Sequence, residues 1–268
     1  MEKAQKYQNS QAVDKKINLF PEKYRDYLKN SIKPYIEIKA SRDSKVDFWQ
    51  SKLGGKPYLL KKEDYPKNRD GEHLQFLAQI NFAEVPHLEP YPEEGLLQFW
   101  IGKDYLYGLD FDNQTNQNSF RVIYYPKLQK EHFITDFDFV PKDNEEYSIF
   151  EDDGIECSLK FTQKIMPVTL DDFQCAQFFP DEFIDNYELC EKYHDTFESN
   201  GHRIGGYAHF TQHDPRSNEK MNVMLLQIDY DIDAGIMWGD LGVSNFFISE
   251  KDLKKKNFTN VLYNWDCF

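Results

Sequence analysis

Leu77-Ala78-Gln79-Ile80-Asn81 and Leu225-Leu226-Gln227-Ile228-Asp229 are the two stretches that decide the fold. Each is an apolar run of strand length with a glutamine at the same place. Working outward, paired glycines precede each run, Gly54-Gly55 and Gly205-Gly206, and a polar stretch lies between, with Tyr65-Pro66 in one and Asp214-Pro215 in the other. A third motif follows each, Gly95-Leu96-Leu97-Gln98-Phe99-Trp100 and Gly242-Val243-Ser244-Asn245-Phe246-Phe247. The separations shrink in steady order, 151, 149, 148 and 147 residues, and chance matches do not keep register in that way. The expectation is a duplicated supersecondary unit in which Gln79 corresponds to Gln227. The glycine pairs are expected at positive φ or at a close backbone approach.

A half with one sheet would leave one face open, so the two halves are expected to share a core. Pro21 suits the first turn of a helix, and Tyr24, Tyr27, Leu28 and Ile32 recur at helical spacing until Pro34 stops it. Strand patterns run through 35–39, 120–125, 132–140 and 157–166. A helix is expected over 181–199, with Asp181 as N-cap, Phe183, Tyr187, Cys190 and Phe197 as its stripe, and Asn200-Gly201 as its stop. Regular βαβ alternation is absent. The chain therefore reads as α+β: internally duplicated, mostly antiparallel sheet units sharing one core, with an N-terminal helix. Its parts are an N-terminal helical segment (1–47), a first half (48–140), a loop (141–156) whose Lys142–Glu146 stretch is exposed, and a second half (157–268).

The formal net charge of the 268 residues is −14, unevenly placed. Residues 1–70 carry 17 Lys and Arg against 10 Asp and Glu; the remainder carries 15 against 36. An acidic body repels phosphate backbones, so nucleic acid is not an expected partner. No apolar run reaches the roughly 18 residues that span a bilayer, and the first ten residues lack the apolar core of a signal peptide. Cys157, Cys175, Cys190 and Cys267 show no metal or disulfide spacing. A reducing, cytoplasmic location is the expectation, without membrane contact.

Gly205-Gly206-Tyr207, Thr211-Gln212-His213-Asp214-Pro215-Arg216, Met237-Trp238-Gly239-Asp240 and Tyr263-Asn264-Trp265-Asp266-Cys267, together with Leu53-Gly54-Gly55-Lys56-Pro57 and Phe76 to Asn81, resemble the YwqG-like family. The resemblance covers roughly residues 30 to 268. It implies a domain of unknown function found mainly in bacterial cytosolic proteins, with no catalytic residues to carry over.

Candidate chemistries fail in informative places. Asp229-x-Asp231-x-Asp233 has the opening spacing of a calcium loop, with Asp240 twelfth, yet Ala234 stands where glycine makes the sharp turn. His209 and His213 have the i, i+4 spacing that presents two metal ligands on a helix, but Gly205-Gly206 and Pro215 put them on strand and turn. Cys190 and His194 share a helix face, but a cysteine in an apolar stripe is an inert core residue. There is no nucleophile elbow and no phosphate loop. Trp100 and Trp265 read as core. No metal and no cofactor are expected.

What remains is a polar set in the second half: Gln212, Asp214, Arg216, Trp238, Asp240, Asn245 and Asp266. Gln79 and Gln227 must find hydrogen bonds inside their strands, and Asp214 with Arg216 reads as an internal pair. Acidity and abundant aromatics point to a non-catalytic protein-binding module that takes, and could neutralise, a basic partner. The alternative is a small-molecule-binding protein or hydrolase with a cleft between the halves.

Overall fold

The structure, a computed structural model, describes residues 2–42, 45–141, 147–152, 154–216 and 219–268, with backbone alone for 2–9 and 219. Lys142–Glu146, expected as an exposed loop, lie outside the described residues.

Ten strands form one sheet. In chain order they are β1 (Lys33–Ser41), β2 (Lys52–Gly54), β3 (Gln75–Asn81), β4 (Leu96–Ile101), β5 (Arg121–Tyr125), β6 (Glu156–Met166), β7 (His202–Gly205), β8 (Val223–Asp229), β9 (Val243–Ile248) and β10 (Val261–Asp266). Their spatial order is β10-β9-β8-β7-β1-β6-β2-β3-β4-β5, and every neighbouring pair is antiparallel. Six α-helices accompany it among the described residues: α1 (Glu2–Ile17), α2 (Glu22–Asn30), α3 (Cys175–Phe178), α4 (Asp181–Ile184), α5 (Tyr187–Thr196) and α6 (Glu250–Lys254). This is the antiparallel, helix-poor architecture expected. No helix among the described residues is long and apolar enough to cross a membrane.

Side chains alternate across the sheet. On β4, Leu97, Phe99 and Ile101 enter the principal core, while Trp100 joins a cluster on the opposite face. On β9, Phe246 and Ile248 enter the same principal core and Phe247 lies outside it. The sheet curls until its two ends meet, with the Phe99 and Phe246 rings 4.9 Å apart. The segment between β4 and β5 lies along the β10 edge, where Tyr263 N donates to Gln114 O at 2.9 Å. A long, curled sheet thereby covers its own inner face. Helices α1 to α5 cover the outer face of the central strands through Ile17, Phe20, Leu28, Phe183 and Tyr193.

The outer two arms are built alike in their details. Lys52 pairs with Gln79 and Gln79 with Gln98; Arg203 pairs with Gln227 and Gln227 with Asn245. A register shift falls between Phe76 and Ala78 on β3, and between Met224 and Leu226 on β8. Gly54, Gly55, Gly205 and Gly206 all have φ between 64° and 73°, as expected of the paired glycines. A Cβ on Gly54 would also lie 2.3 Å from the Ile155 carbonyl oxygen.

Three expectations need correction. The 181–199 helix is two helices, because Asn186 leaves helical geometry and accepts from Leu189 N, capping α5. Pro180, not Asp181, precedes the first of them, and Tyr187 of the expected stripe is exposed while Tyr193 is buried. Residues 132–140 form no strand; Ile134, Phe137 and Phe139 instead pack on the outer cluster around Trp100.

Candidate functional site

The glutamines within the strands bind backbone. Gln79 Nε2 donates to Phe48 O (2.6 Å) and Gln50 O (2.7 Å), while its Oε1 accepts from Tyr58 N (3.1 Å). Gln98 Nε2 donates to Tyr58 O at 2.7 Å. In the other arm, Gln227 Nε2 donates to Gly201 O (2.8 Å), its Oε1 accepts from His209 N (2.9 Å), and Asn245 Nδ2 donates to His209 O (2.9 Å). Each amide pair thus grips both polar groups of the residue four positions beyond the first glycine of a pair. A buried amide so engaged avoids the desolvation cost of about 1–3 kcal/mol for an unmet partner. Asn245 is therefore part of the frame of the turn.

Arg216 is buried at the centre of a second network. Its Nε and Nη2 donate to the two Asp214 carboxylate oxygens at 2.8 and 2.6 Å, and Nη2 also donates to Asp172 Oδ2 at 2.9 Å. The guanidinium lies 3.9 Å from the Phe247 ring centre and 4.6 Å from that of Phe173. Burial works against its charge, but the Asp214 hydrogen bonds and the Asp172 charge outweigh it and raise the Arg216 pKa. Asp172 also accepts from Ala208 N, and Asp214 from Phe173 N, so the three charges tie together chain segments about 40 residues apart. Asp172 has no local signature in the sequence. Its partner lies 44 residues away, so only the fold reveals it.

Gln212 and Asp266 meet at the end of β10. Asp266 Oδ1 accepts from Thr211 N (3.0 Å) and Thr211 Oγ1 (2.8 Å), and Gln212 Nε2 donates to Cys267 O (2.8 Å). Trp238 is buried against Tyr107 and Trp265, with ring centres 5.7 and 6.3 Å away, and its Nε1 has no partner among the described residues. Asp240 is exposed; its carbonyl accepts from Phe268 N. Of the seven residues expected as a set, Asn245, the Asp214–Arg216 pair, and Gln212 with Asp266 thus occupy three separate local networks, while the Trp238 indole N–H has no partner among the described residues and Asp240 is exposed.

The rejected chemistries find internal partners too. Asp229 accepts from Gly201 N and Tyr230 N. Asp231 accepts from Ala234 N and approaches His202 Nε2 at 3.3 Å. His209 Nδ1 lies 3.2 Å from Asp171 Oδ2, while His213 is exposed. Among the described residues no three of His, Cys, Asp and Glu gather to hold a metal. Cys190 Sγ donates to Ile184 O at 3.3 Å, and burial raises the thiol pKa. Trp100 is buried and Trp265 half-buried; their indole N–H groups donate to Gln98 Oε1 and Leu106 O.

The surface where the β4–β5 connection meets the end of β10 differs from these networks. Tyr105 and Phe111 are 70% and 71% exposed, and Phe268 is 77% exposed. Asp104, Asp110 and Asp112 lie in the same β4–β5 connection, and Asp240, whose carbonyl accepts from Phe268 N, lies in the β8–β9 connection. The backbone there is held firmly: Asp104 Oδ1 accepts from Leu106 N, Asp110 Oδ1 accepts from Asn113 N, and Trp265 Nε1 donates to Leu106 O at 2.6 Å. Exposed rings on an ordered acidic loop cost little entropy to bury against a partner.

Compared with known families, residues 51–267 match DUF1963, described as a domain of unknown function. No curated protein matches the chain.

Proposed function

The chain belongs to the DUF1963 family, and we propose that it is a non-catalytic binding protein that captures a basic protein partner. The observation that carries this reading is the ordered acidic loop presenting Tyr105 and Phe111. Interface hot spots are enriched in tyrosine, tryptophan and arginine, aromatic residues in general are enriched at interfaces, and flanking carboxylates steer a cationic partner. The net charge of −14 favours the same encounter at low ionic strength. On the sequence resemblance alone, the chain is also proposed to fall in the YwqG-like group of that family, with a bacterial source and a cytoplasmic setting. Of the polar set, Gln212, Asp214, Arg216, Asn245 and Asp266 are proposed as framework, because each is hydrogen-bonded within the chain.

The test compares capture by the wild type with capture by Tyr105→Ala/Phe111→Ala from the native cell extract at two salt concentrations. The expected result is a Lys- and Arg-rich protein retained at low salt, released at high salt, and absent from the variant. Equal capture by both proteins overturns the reading.

We also infer that the two arms descend from an internal duplication, which the shared register, bulges and glycine pairs support. Its measurable consequence is an equal response to the same change at Gln79 and Gln227.

A further inference from the structure

Lys52 and Arg203 occupy the same register position, each paired with a strand glutamine. Both are almost fully buried, and burial lowers the pKa of each. A buried charge is costly unless an opposite charge or a full set of hydrogen bonds meets it. For Lys52 the fold provides one: β6 places Glu156 opposite Gly54, and the Lys52 ammonium donates to Glu156 Oε1 at 2.7 Å. At the matching place β1 sets Tyr35 opposite Gly205, with its ring 5.3 Å from the Arg203 guanidinium, and sets Glu37 opposite Arg203 itself, where the carboxylate bonds Lys164 rather than the guanidinium.

The hydrogen-bond partners of Arg203 are neutral, although the nearby Asp229 and Glu37 charges favour its cation against burial. Nη2 donates to the Ser199 and Asn200 carbonyls, Nη1 approaches the Met166 sulfur at 3.3 Å, and Nε has no partner among the described residues. Arg203 is 3% exposed, and it lines a cavity of about 520 Å³ bounded by β1, the end of β6 and α1. That size lies within the range of small-molecule sites, about 300–1,000 Å³.

The charges around the cavity are mixed. Lys16 and Lys39 also line it, Lys164 is engaged by Glu37, and Asp231 by His202. Glu198 and Asp233 line the same cavity, are exposed, and have no ion-pair partner among the described residues. A phosphate dianion would meet these carboxylates as well as Arg203. A zwitterion is complementary to both.

We propose that this cavity binds a small zwitterion of the amino-acid class, its carboxylate on Arg203 and its ammonium group toward Glu198 and Asp233. The ligand carboxylate would stand to Arg203 as Glu156 stands to Lys52. The site lies on the outer face of the central strands, apart from the acidic aromatic loop.

Calorimetric titration and thermal melts of the full chain test it, using the individual amino acids, acetate, methylamine and inorganic phosphate as probes. At least one amino acid should bind saturably and raise Tm, as any ligand selective for the folded state does. Acetate should bind more weakly and phosphate not at all. Arg203→Met should weaken the amino acid about tenfold or more, the loss of one charge-assisted contact. Glu198→Gln/Asp233→Asn, at exposed positions that leave the fold intact, should weaken the amino acid but not acetate. The proposal is overturned if no amino acid binds, if phosphate alone stabilises the protein, or if the Glu198/Asp233 variant binds the amino acid as tightly as the wild type.

Discussion

Arg216 sets the scale at which single residues matter here. Its side chain and that of Asp172 are each 1% exposed, and the pair shares Asp214. Arg216→Ala leaves two buried carboxylates without their cation, so a loss of about 3–5 kcal/mol in chemical denaturation is expected. A loss below about 1 kcal/mol would show that the network is not structural and would return Asp214 and Arg216 to consideration as a binding site. Asp231 makes a smaller, pH-dependent contribution. The His202 hydrogen bond holds its pKa below the usual range of an aspartate, against the opposing effect of burial. The ionised form is thus favoured by folding. Its stabilisation is fully present above the unfolded pKa, near 4, and is lost as the pH falls through the depressed folded value. Denaturation at pH 5 and pH 3 should show a smaller acid-induced loss for Asp231→Asn than for the wild type. Equal losses would mean that the His202 contact contributes nothing.

At the scale of elements, legibility followed how local the determining interaction is. Strands β1, β3, β5, β6, β8 and β9 were readable because alternation or a short apolar run between turn residues is a local signal. The structural work of Gln79 and Gln227 was readable for a related reason: an amide inside a buried strand must have partners. The break between α4 and α5 was not, since Phe183, Tyr187, Cys190 and Phe197 keep helical spacing through it and Asn186 resembles any polar helix residue. The 132–140 stretch alternates like a strand, yet its aromatic side chains pack on the Trp100 cluster and its backbone joins no ladder, an instance of tertiary packing overriding propensity. Lys52 and Arg203 carry no comparable signal, because a cation in a strand ordinarily faces solvent. Their shared place, two residues before the first glycine of each pair, was the available clue.

Over the whole molecule, the question is whether the two arms are energetic equivalents as well as geometric ones. Gln79 and Gln227 sit at matching register positions, bind matching backbone groups and have no hydrogen-bond partner in common. Replacing either by leucine keeps the volume and apolar packing but strands a buried N–H and at least one carbonyl. Each change should cost about 1–3 kcal/mol. Because the two sites share no partner and lie in different arms, the double variant should lose the sum of the single losses to within about 0.5 kcal/mol. Urea denaturation of the wild type, both single variants and the double variant measures all four terms. Nearly equal single costs that add would mean that each arm meets the same physical problem, a glycine-pair turn anchored by one strand amide, with the same solution. If Gln79→Leu is neutral while Gln227→Leu is severe, the likeness of the arms is one of shape alone, and the inference of a duplication loses its energetic support.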